Sequence, residues 1–438
     1  VECAKISHYA IEKHKVVITV SAVAGVTAEL IEIIDLAKNQ KPRLVKVRLN
    51  DLEAQHMTIL KGILGSHSYV NQIWQKEILP RFDNLRTILH GASLVGDITP
   101  KTEAKICSFG EKIACIFMRY ALRDLNVRAQ IVKAEKIIRT DSRYLEANLY
   151  LRNSFSACKK VLKPLLGRGI IPIIPGFVAK DTHGDNTLLG RGGSDFTAAI
   201  VAMAVKAAKI EIWTDVNGIM SADPRIVPDA FSWQELDLGI MSEMAYSGVK
   251  IVHPRSIELA IQKDIPVYVF NTFNRVFRGT KVDNSKTSGV KGIVSTSGNV
   301  LFNLKNPNML DEIGFIADVT DIVQKEQISI DVCATSETSF SFSIKDANGS
   351  EKLLKALSDT CEVTMLRNVA KVCIIGNDIT HDPSLFSTIF KIFAEQNIQI
   401  YTLSVSASRN NITFMIDDND CKQTVNALHG KLISQKGE

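Results

Sequence analysis

The eight cysteines of this 438-residue chain are scattered, with no Cys-x-x-Cys pair and no histidine at ligand spacing. That excludes a zinc ribbon and argues against a disulfide frame; mostly buried, reduced thiols are expected. Charge of one sign is also lacking: 52 Lys and Arg face 47 Asp and Glu, a net of +5 spread along the chain. So slight an excess gives no ground for nucleic acid or a membrane surface as partner. Apolar runs such as 16–26 are broken by Thr and Ser and fall short of a bilayer span, and no targeting segment is visible. No Gly-Lys-Ser/Thr follows any glycine-rich turn, so a Walker loop is absent. What remains is an ordinary globular composition, 45% apolar and 23% charged, long enough for roughly three domains.

Three β-branched runs, 16–22, 169–175 and 210–214, alternate with helical periodicity, as in 28–37 and 196–208. Buried strands alternating with helices predict an α/β domain with a mostly parallel sheet, where ligands collect at the carboxyl ends of strands. Residues 274–297 are polar and read as a linker carrying one strand near 292–295. Beyond it, Glu326-Gln327-Ile328-Ser329-Ile330-Asp331 recurs as Glu395-Gln396-Asn397-Ile398-Gln399-Ile400. Each copy predicts strand, helix, strand, strand, helix, and the strand near 292–295 replaces the one that the second copy lacks. Two βαββαβ units, one inserted in the other, are the expectation.

The most informative segment is Leu189-Gly190-Arg191-Gly192-Gly193-Ser194-Asp195, which opens the apolar helix beginning at Phe196. Glycines admit positive φ and close backbone approach, and a helix start offers free N–H donors and a positive dipole end. Two readings fit the loop taken alone: an anion site, or a glycine-rich turn capped by Asp195. Thr214-Asp215-Val216-Asn217-Gly218 and Asp223-Pro224-Arg225 read either as a nucleotide rim or as two capped turns. Lys250 sits in a turn before His253-Pro254, as a phosphate cation or as a solvated lysine. Glu111, in Ser108-Phe109-Gly110-Glu111, either complements a helix dipole or grips a substrate ammonium.

In this order and spacing, these segments together with Val20-Ser21-Ala22-Val23-Ala24-Gly25-Val26-Thr27 closely resemble aspartate kinase over nearly the whole chain. The resemblance implies an amino-acid-kinase-type α/β domain at 1–285, followed by two ferredoxin-like ACT domains. The first, 299–366, is inserted into the second, 290–297 plus 367–438. The implied reaction is ATP plus L-aspartate giving 4-phospho-L-aspartate and ADP. Its nucleophile, a carboxylate of reference pKa about 3.9, is ionised at neutral pH and requires no general base.

By the same resemblance Arg191 forks onto the α-carboxylate, Glu111 holds the α-ammonium, and Ser21, Ala22, Thr27, Phe177 and Ser194 shape the pocket. Asp195 orders the site; Thr214, Asp215, Met220 and Arg225 form the nucleotide rim; Lys250 is the phosphate cation; and Mg2+ accompanies ATP. The chain departs from the family in two places. Met220 stands where the family has Tyr, and the family's opening strand and Lys-Phe-Gly-Gly-Thr-Ser loop do not precede Val20. Residues 1–13 read as the amphipathic helix that follows that loop, so the expectation is a fragment of low activity.

The C-terminal half resembles the lysine-responsive members of the family. L-lysine is therefore the implied inhibitor, bound by Met309, Glu312, Gly314, Phe315, Ser329, Asp331, Val332, Thr335 and Ser336 where ACT units of two chains meet. A homodimer or dimer of dimers through those units follows, in a bacterial cytoplasm or a plastid stroma. Two other readings stay open: another amino-acid or nucleotide kinase of the same fold, and a non-catalytic amino-acid-binding regulator.

Overall fold

A computed structural model describes residues 1–65, 69–249, 254–285, 288–305, 314–345 and 349–433. The chain opens with α1 (Glu2–Lys13), β1 (Ile18–Val20), α2 (Val26–Lys38), α3 (Pro42–Leu64), α4 (Val70–Ile73) and α5 (Leu79–Val95). There follow α6 (Pro100–Cys107), α7 (Phe109–Asp124), β2 (Ala129–Ile131), α8 (Leu151–Gly167), β3 (Ile171–Pro175), β4 (Val178–Lys180) and β5 (Asn186–Leu188). Next are α9 (Gly193–Val205), β6 (Ile210–Thr214), β7 (Glu235–Asp237), α10 (Leu238–Ser247), α11 (Pro254–Ile261), β8 (Val267–Asn271) and β9 (Thr280–Asp283). The last stretch holds β10 (Gly289–Lys305), α12 (Phe315–Lys325), β11 (Cys333–Thr335), β12 (Ser339–Ile344) and α13 (Ser350–Ser358). It ends with β13 (Glu362–Asn377), α14 (Pro383–Glu395), β14 (Thr402–Val405), β15 (Asn411–Asp417) and α15 (Cys421–Leu432).

The β-branched runs at 16–22, 169–175 and 210–214 are strands β1, β3 and β6, and the amphipathic segment 1–13 is helix α1. By packing, the chain falls into two compact units, Val1–Val216 with Val252–Arg278, and Asn217–Ile251 with Gly279–Glu438. The segment 217–251, inside the expected kinase domain, thus groups with the C-terminal elements.

In the first unit β3 lies between β1 and β2, parallel to both, and β6 pairs in parallel with β8. Two cores support it. One joins α2, α3, α5 and α7 around Leu30, Leu49, Phe82 and Ile113; the other packs Ile18 and Ile173 against Cys115 and Leu122 of α7. The helical layer carries a buried histidine, His56, whose ring is edge-on to Phe82 and whose Nδ1 lies 2.7 Å from the Leu52 carbonyl.

The second unit corrects the sequence reading. Two βαββαβ units side by side, one inserted in the other, were expected as two domains, whereas β11, β12, β10, β13, β15 and β14 form one six-stranded antiparallel sheet in that order. The strand near 292–295 and the one at 300–304 are a single strand, β10, and 363–366 is continuous with 372–376 in β13. No turn breaks either: β10 passes through bulges around Thr296 and Asn299, where the Asn299 amide donates to the carbonyls of Thr296 and Val369. Satisfying those buried carbonyls lets the ladder run on where polar, glycine-containing sequence suggests a stop. The helices pack over separate apolar patches, around Phe302 and Phe342 for α12 and α13, and around Ile374 and Phe414 for α14 and α15.

All eight cysteines are free thiols, five of them buried. Among the described residues no helix is long and apolar enough to cross a membrane.

Burial holds the His56 imidazole below its ordinary pKa of 6.5. The unfolded chain therefore takes up this proton first, and stability present above pH 6.5 is lost as pH falls from 6.5 toward the lower native value. The limiting slope is about 1.4 kcal/mol per pH unit. Urea unfolding at stepped pH should show this loss in the natural chain and a shallower one in His56→Leu.

Candidate active site

The parallel pairing of β1 with β3 brings two loops to one edge of the sheet, at the carboxyl ends of the strands. The Gly176 N–H extends the ladder by donating to Val20 O at 2.9 Å. From there the chain leaves β1 through Ser21 and Ala22 into α2, and leaves β3 through Gly176 and Phe177.

Two helix starts are packed against these loops, each through a glycine that admits close contact. A Cβ on Gly110 would lie 2.7 Å from Ala22 Cβ, so α7 begins directly against the β1 loop. A Cβ on Gly176 would lie 2.6 Å from Ser194 Oγ, so α9 begins directly against the β3 loop. Phe177 adopts φ +65°, and its N–H donates to Thr197 Oγ1, which in turn donates to Gly193 O at 2.8 Å. These bonds lock the Gly190–Asp195 turn, with Gly190 and Gly192 both at positive φ, onto the end of β3. With α2, capped by Gly25 at φ 83°, three helix starts and their N–H donors stand around the loops at this edge.

Of the substrate residues inferred from sequence, Ala22, Thr27, Phe177, Ser194 and Asp195 are half-buried, Ser21 and Arg191 are exposed, and Glu111 is buried. Glu111 is the chemically unusual member. Its carboxylate accepts from the Ala22 N–H, yet Oε2 is buried without a hydrogen-bond partner. Burial outweighs that bond and pushes its pKa up to about 7. A buried carboxylate with an orphaned oxygen, at the start of a helix packed against the β1 loop, is suited to a ligand carrying an ammonium group.

Thr214 closes β6, its hydroxyl donating to Asp215 at 3.1 Å. Sequence reasoning missed the residues that hold this end in place: the Thr272 N–H donates to Thr214 O at 2.8 Å, and Asn271 Nδ2 approaches Asp215 O. The available signal was an Asn-Thr pair ending an alternating strand.

In the second unit, Met220 Sδ accepts from Ser232 Oγ, and the exposed Arg225 is folded back on Asp223 in a forked ion pair. Arg225 holds the Asp223 carboxyl below its ordinary range. Lys250 and His253 lie outside the described residues.

Among the effector residues inferred from sequence, Met309 and Glu312 also lie outside the described residues. Gly314, at φ 103°, starts α12, and Phe315 is buried in the core. Ser329, Thr335 and Ser336 are exposed, whereas Val332 packs on Leu301, Val369 and Met415. Asp331 is already engaged: both its oxygens accept from Lys371 Nζ of β13, at 2.9 and 2.7 Å. Lys371, 2% exposed, was not singled out from sequence, although a lysine within the apolar strand 369–375 was the signal.

The amino acid kinase family model matches residues 3–271, and the ACT domain model matches 372–432. One ACT-like domain is therefore present at the C-terminus, not the two expected, in keeping with the single continuous sheet. The chain is 31% identical to the lysine-sensitive aspartokinase 3 of Escherichia coli, over 95% of this chain and 92% of that protein. It is similar to solved structures of E. coli aspartokinase III, one in complex with aspartate and ADP (TM-score 0.84) and one with lysine and aspartate (TM-score 0.80). Each is 29% identical and spans 98% of this chain and 96% of the other. On a family match covering most of the chain, and a relative aligned nearly end to end, this chain belongs to the amino acid kinase family and, within it, to the aspartokinases.

Proposed function

We infer that this chain transfers the γ-phosphoryl group of ATP to the side-chain carboxylate of L-aspartate and is inhibited by L-lysine. The observation that carries the substrate reading is Glu111: a buried carboxylate with an unpartnered oxygen among helix N-termini. An α-ammonium placed there satisfies that oxygen and offsets the cost of ionising a group that burial holds near neutrality. Arg191 and the N–H groups of the Gly190–Asp195 turn then receive the α-carboxylate, a forked contact that suits guanidinium. Ser21, Ala22, Thr27, Phe177 and Ser194 bound the remaining space, and Asp195 orders the turn.

With the amino acid held at both ends, its ionised side-chain carboxylate is the nucleophile. An oxygen–phosphorus bond forms to the γ-phosphorus while the bond to the β,γ-bridging oxygen breaks, and ADP leaves with that electron pair. No proton must be removed first, so the protein's task is alignment and charge neutralisation. Thr214, Asp215, Met220 and Arg225 are the nucleotide residues in this reading, with Lys250 as the phosphate cation. Mg2+ would accompany ATP in this reading. The half-buried Asp195 would offer it a hard oxygen donor, and the ion, when bound, would neutralise phosphate charge.

For the effector, an ammonium-bearing amino acid fits the Ser329–Ser336 segment, where Asp331 supplies the carboxylate and shares it with Lys371. The E. coli relatives, named for lysine sensitivity and solved with lysine, support lysine as that amino acid. Association of two chains through the ACT region belongs to the same reading.

Calorimetric titration with L-aspartate tests the substrate site. Because Glu111 must be ionised to receive the ammonium, affinity should rise as pH increases through about 7. Glu111→Gln should bind roughly tenfold or more weakly, as loss of a charge-assisted hydrogen bond implies, and with no such pH dependence. Equal affinity in the two proteins would remove Glu111 from the site. For the effector, ADP release from ATP and aspartate should fall progressively as L-lysine is raised into the millimolar range; activity untouched by lysine, with another amino acid binding clearly, would overturn that assignment.

A further inference from the structure

The residues Met220 and Arg225 flank a buried serine that the nucleotide reading does not use. Ser221 is fully buried, and each of its polar groups is engaged. Its N–H donates to Phe231 O at 2.8 Å, and its carbonyl accepts from Ile293 of β10 at 2.9 Å. Its hydroxyl oxygen accepts from the Phe231 N–H at 3.1 Å and lies 2.9 Å from Nε2 of His429 in α15. The hydroxyl has one hydrogen, and among the described residues no other acceptor lies within hydrogen-bonding reach of it. The arrangement is complete when Ser221 donates to a neutral His429, a tautomer assigned here from the network. Burial favours that neutral form by lowering the imidazole pKa, against the opposing field of Asp229.

Three residues earlier on α15, and so on the same helix face, Asn426 Nδ2 donates to Ile226 O at 2.8 Å. Two side chains of one helix thus hold the two ends of the loop from Ser221 to Ile226, which carries the Asp223–Arg225 fork. That helix lies within the segment matched by the ACT model, and loop and helix both lie in the second unit.

We propose that His429 and Asn426 are positioning residues for nucleotide binding, acting as a clamp by which α15 sets the loop Ser221–Ile226 that presents Met220 and Arg225. This rests on the reading of Met220 and Arg225 as nucleotide residues. The clamp touches neither nucleotide nor aspartate; it removes the freedom of a loop that must otherwise be ordered when the ligand arrives.

The test is calorimetric titration of the full chain with ADP and, separately, with L-aspartate, using folded protein verified by circular dichroism and thermal melting. His429→Leu and Asn426→Ala should each weaken ADP binding roughly two- to tenfold, the scale of one lost hydrogen bond, and leave aspartate binding unchanged. His429→Gln, whose amide oxygen can accept from Ser221, should restore ADP affinity. Unaltered ADP binding in both disrupting variants overturns the clamp, as does failure of the folded Gln variant to restore it or an equal loss of aspartate binding. Arg225→Ala separates the two layers of the argument. If it leaves ADP affinity unchanged, the nucleotide reading of the loop falls; if it weakens ADP while the α15 variants do not, only the clamp falls.

Discussion

The parallel ladder between β1 and β3 is the constraint on which the proposed substrate site depends. It aligns Val20 with Pro175, so that the chain leaves both strands at the same edge. Everything chemical follows from what is packed against that edge. α7 abuts Ala22 through Gly110, α9 abuts the β3 loop through Gly176, and the hydrogen bonds from Phe177 through Thr197 to Gly193 hold the glycine-rich turn in one conformation. Such close approach excludes solvent from Glu111 and raises its pKa. A carboxylate kept from water without a partner ion is costly to ionise, and the substrate ammonium proposed for this place would relieve that cost. Pre-organisation of this kind is what a phosphoryl transfer needing alignment and charge neutralisation, but no proton abstraction, asks of its protein.

A second long pairing organises the C-terminal unit. β10 and β13 run side by side for most of their length, and the other four strands are added outward from them in two pairs. The buried Lys371 lies on β13 and reaches Asp331, ahead of β11, so the carboxylate assigned to the effector is held from within the sheet. On the same sheet, β10 accepts the segment 217–251 through Ile293 and Ser221, and through the Trp233 indole, which donates to Lys291 O. By its bonds, the loop carrying Met220 and Arg225 is as much an attachment of the C-terminal sheet as a part of the segment matched by the kinase model.

Much of this was legible beforehand. The β-branched runs announce β1, β3 and β6 because buried parallel strands leave no polar face to interrupt them. The turn from Gly190 to Asp195 announces a helix start because positive φ and free N–H donors call for those residue types. The repeat from Glu326 announces a recurring helix and strand order, and α12 to α15 are found where it places them. The number of sheets was not legible. Whether 292–295 and 300–304 are two strands or one depends on Asn299 bonding to Val369, seventy residues away, and no local period encodes that bond. Asn271 and Thr272, which brace the end of β6, were passed over for a similar reason: their importance comes from a strand nearly sixty residues earlier.

By itself, then, the sequence determined the order of helices and strands, the motif set that marks an aspartokinase, and which residue types are available for an amino acid carrying both charges. These are local properties, written in periodicity, turn chemistry and spacing. Only the tertiary structure decided which of those groups are desolvated and which already have partners. It leaves Glu111 with an orphaned oxygen, occupies Asp331 with Lys371, and ties Ser221 to His429 across two hundred residues of chain. Burial and partnership decide whether a carboxylate is a binding group or a satisfied one, and both arise from contacts between segments far apart in sequence.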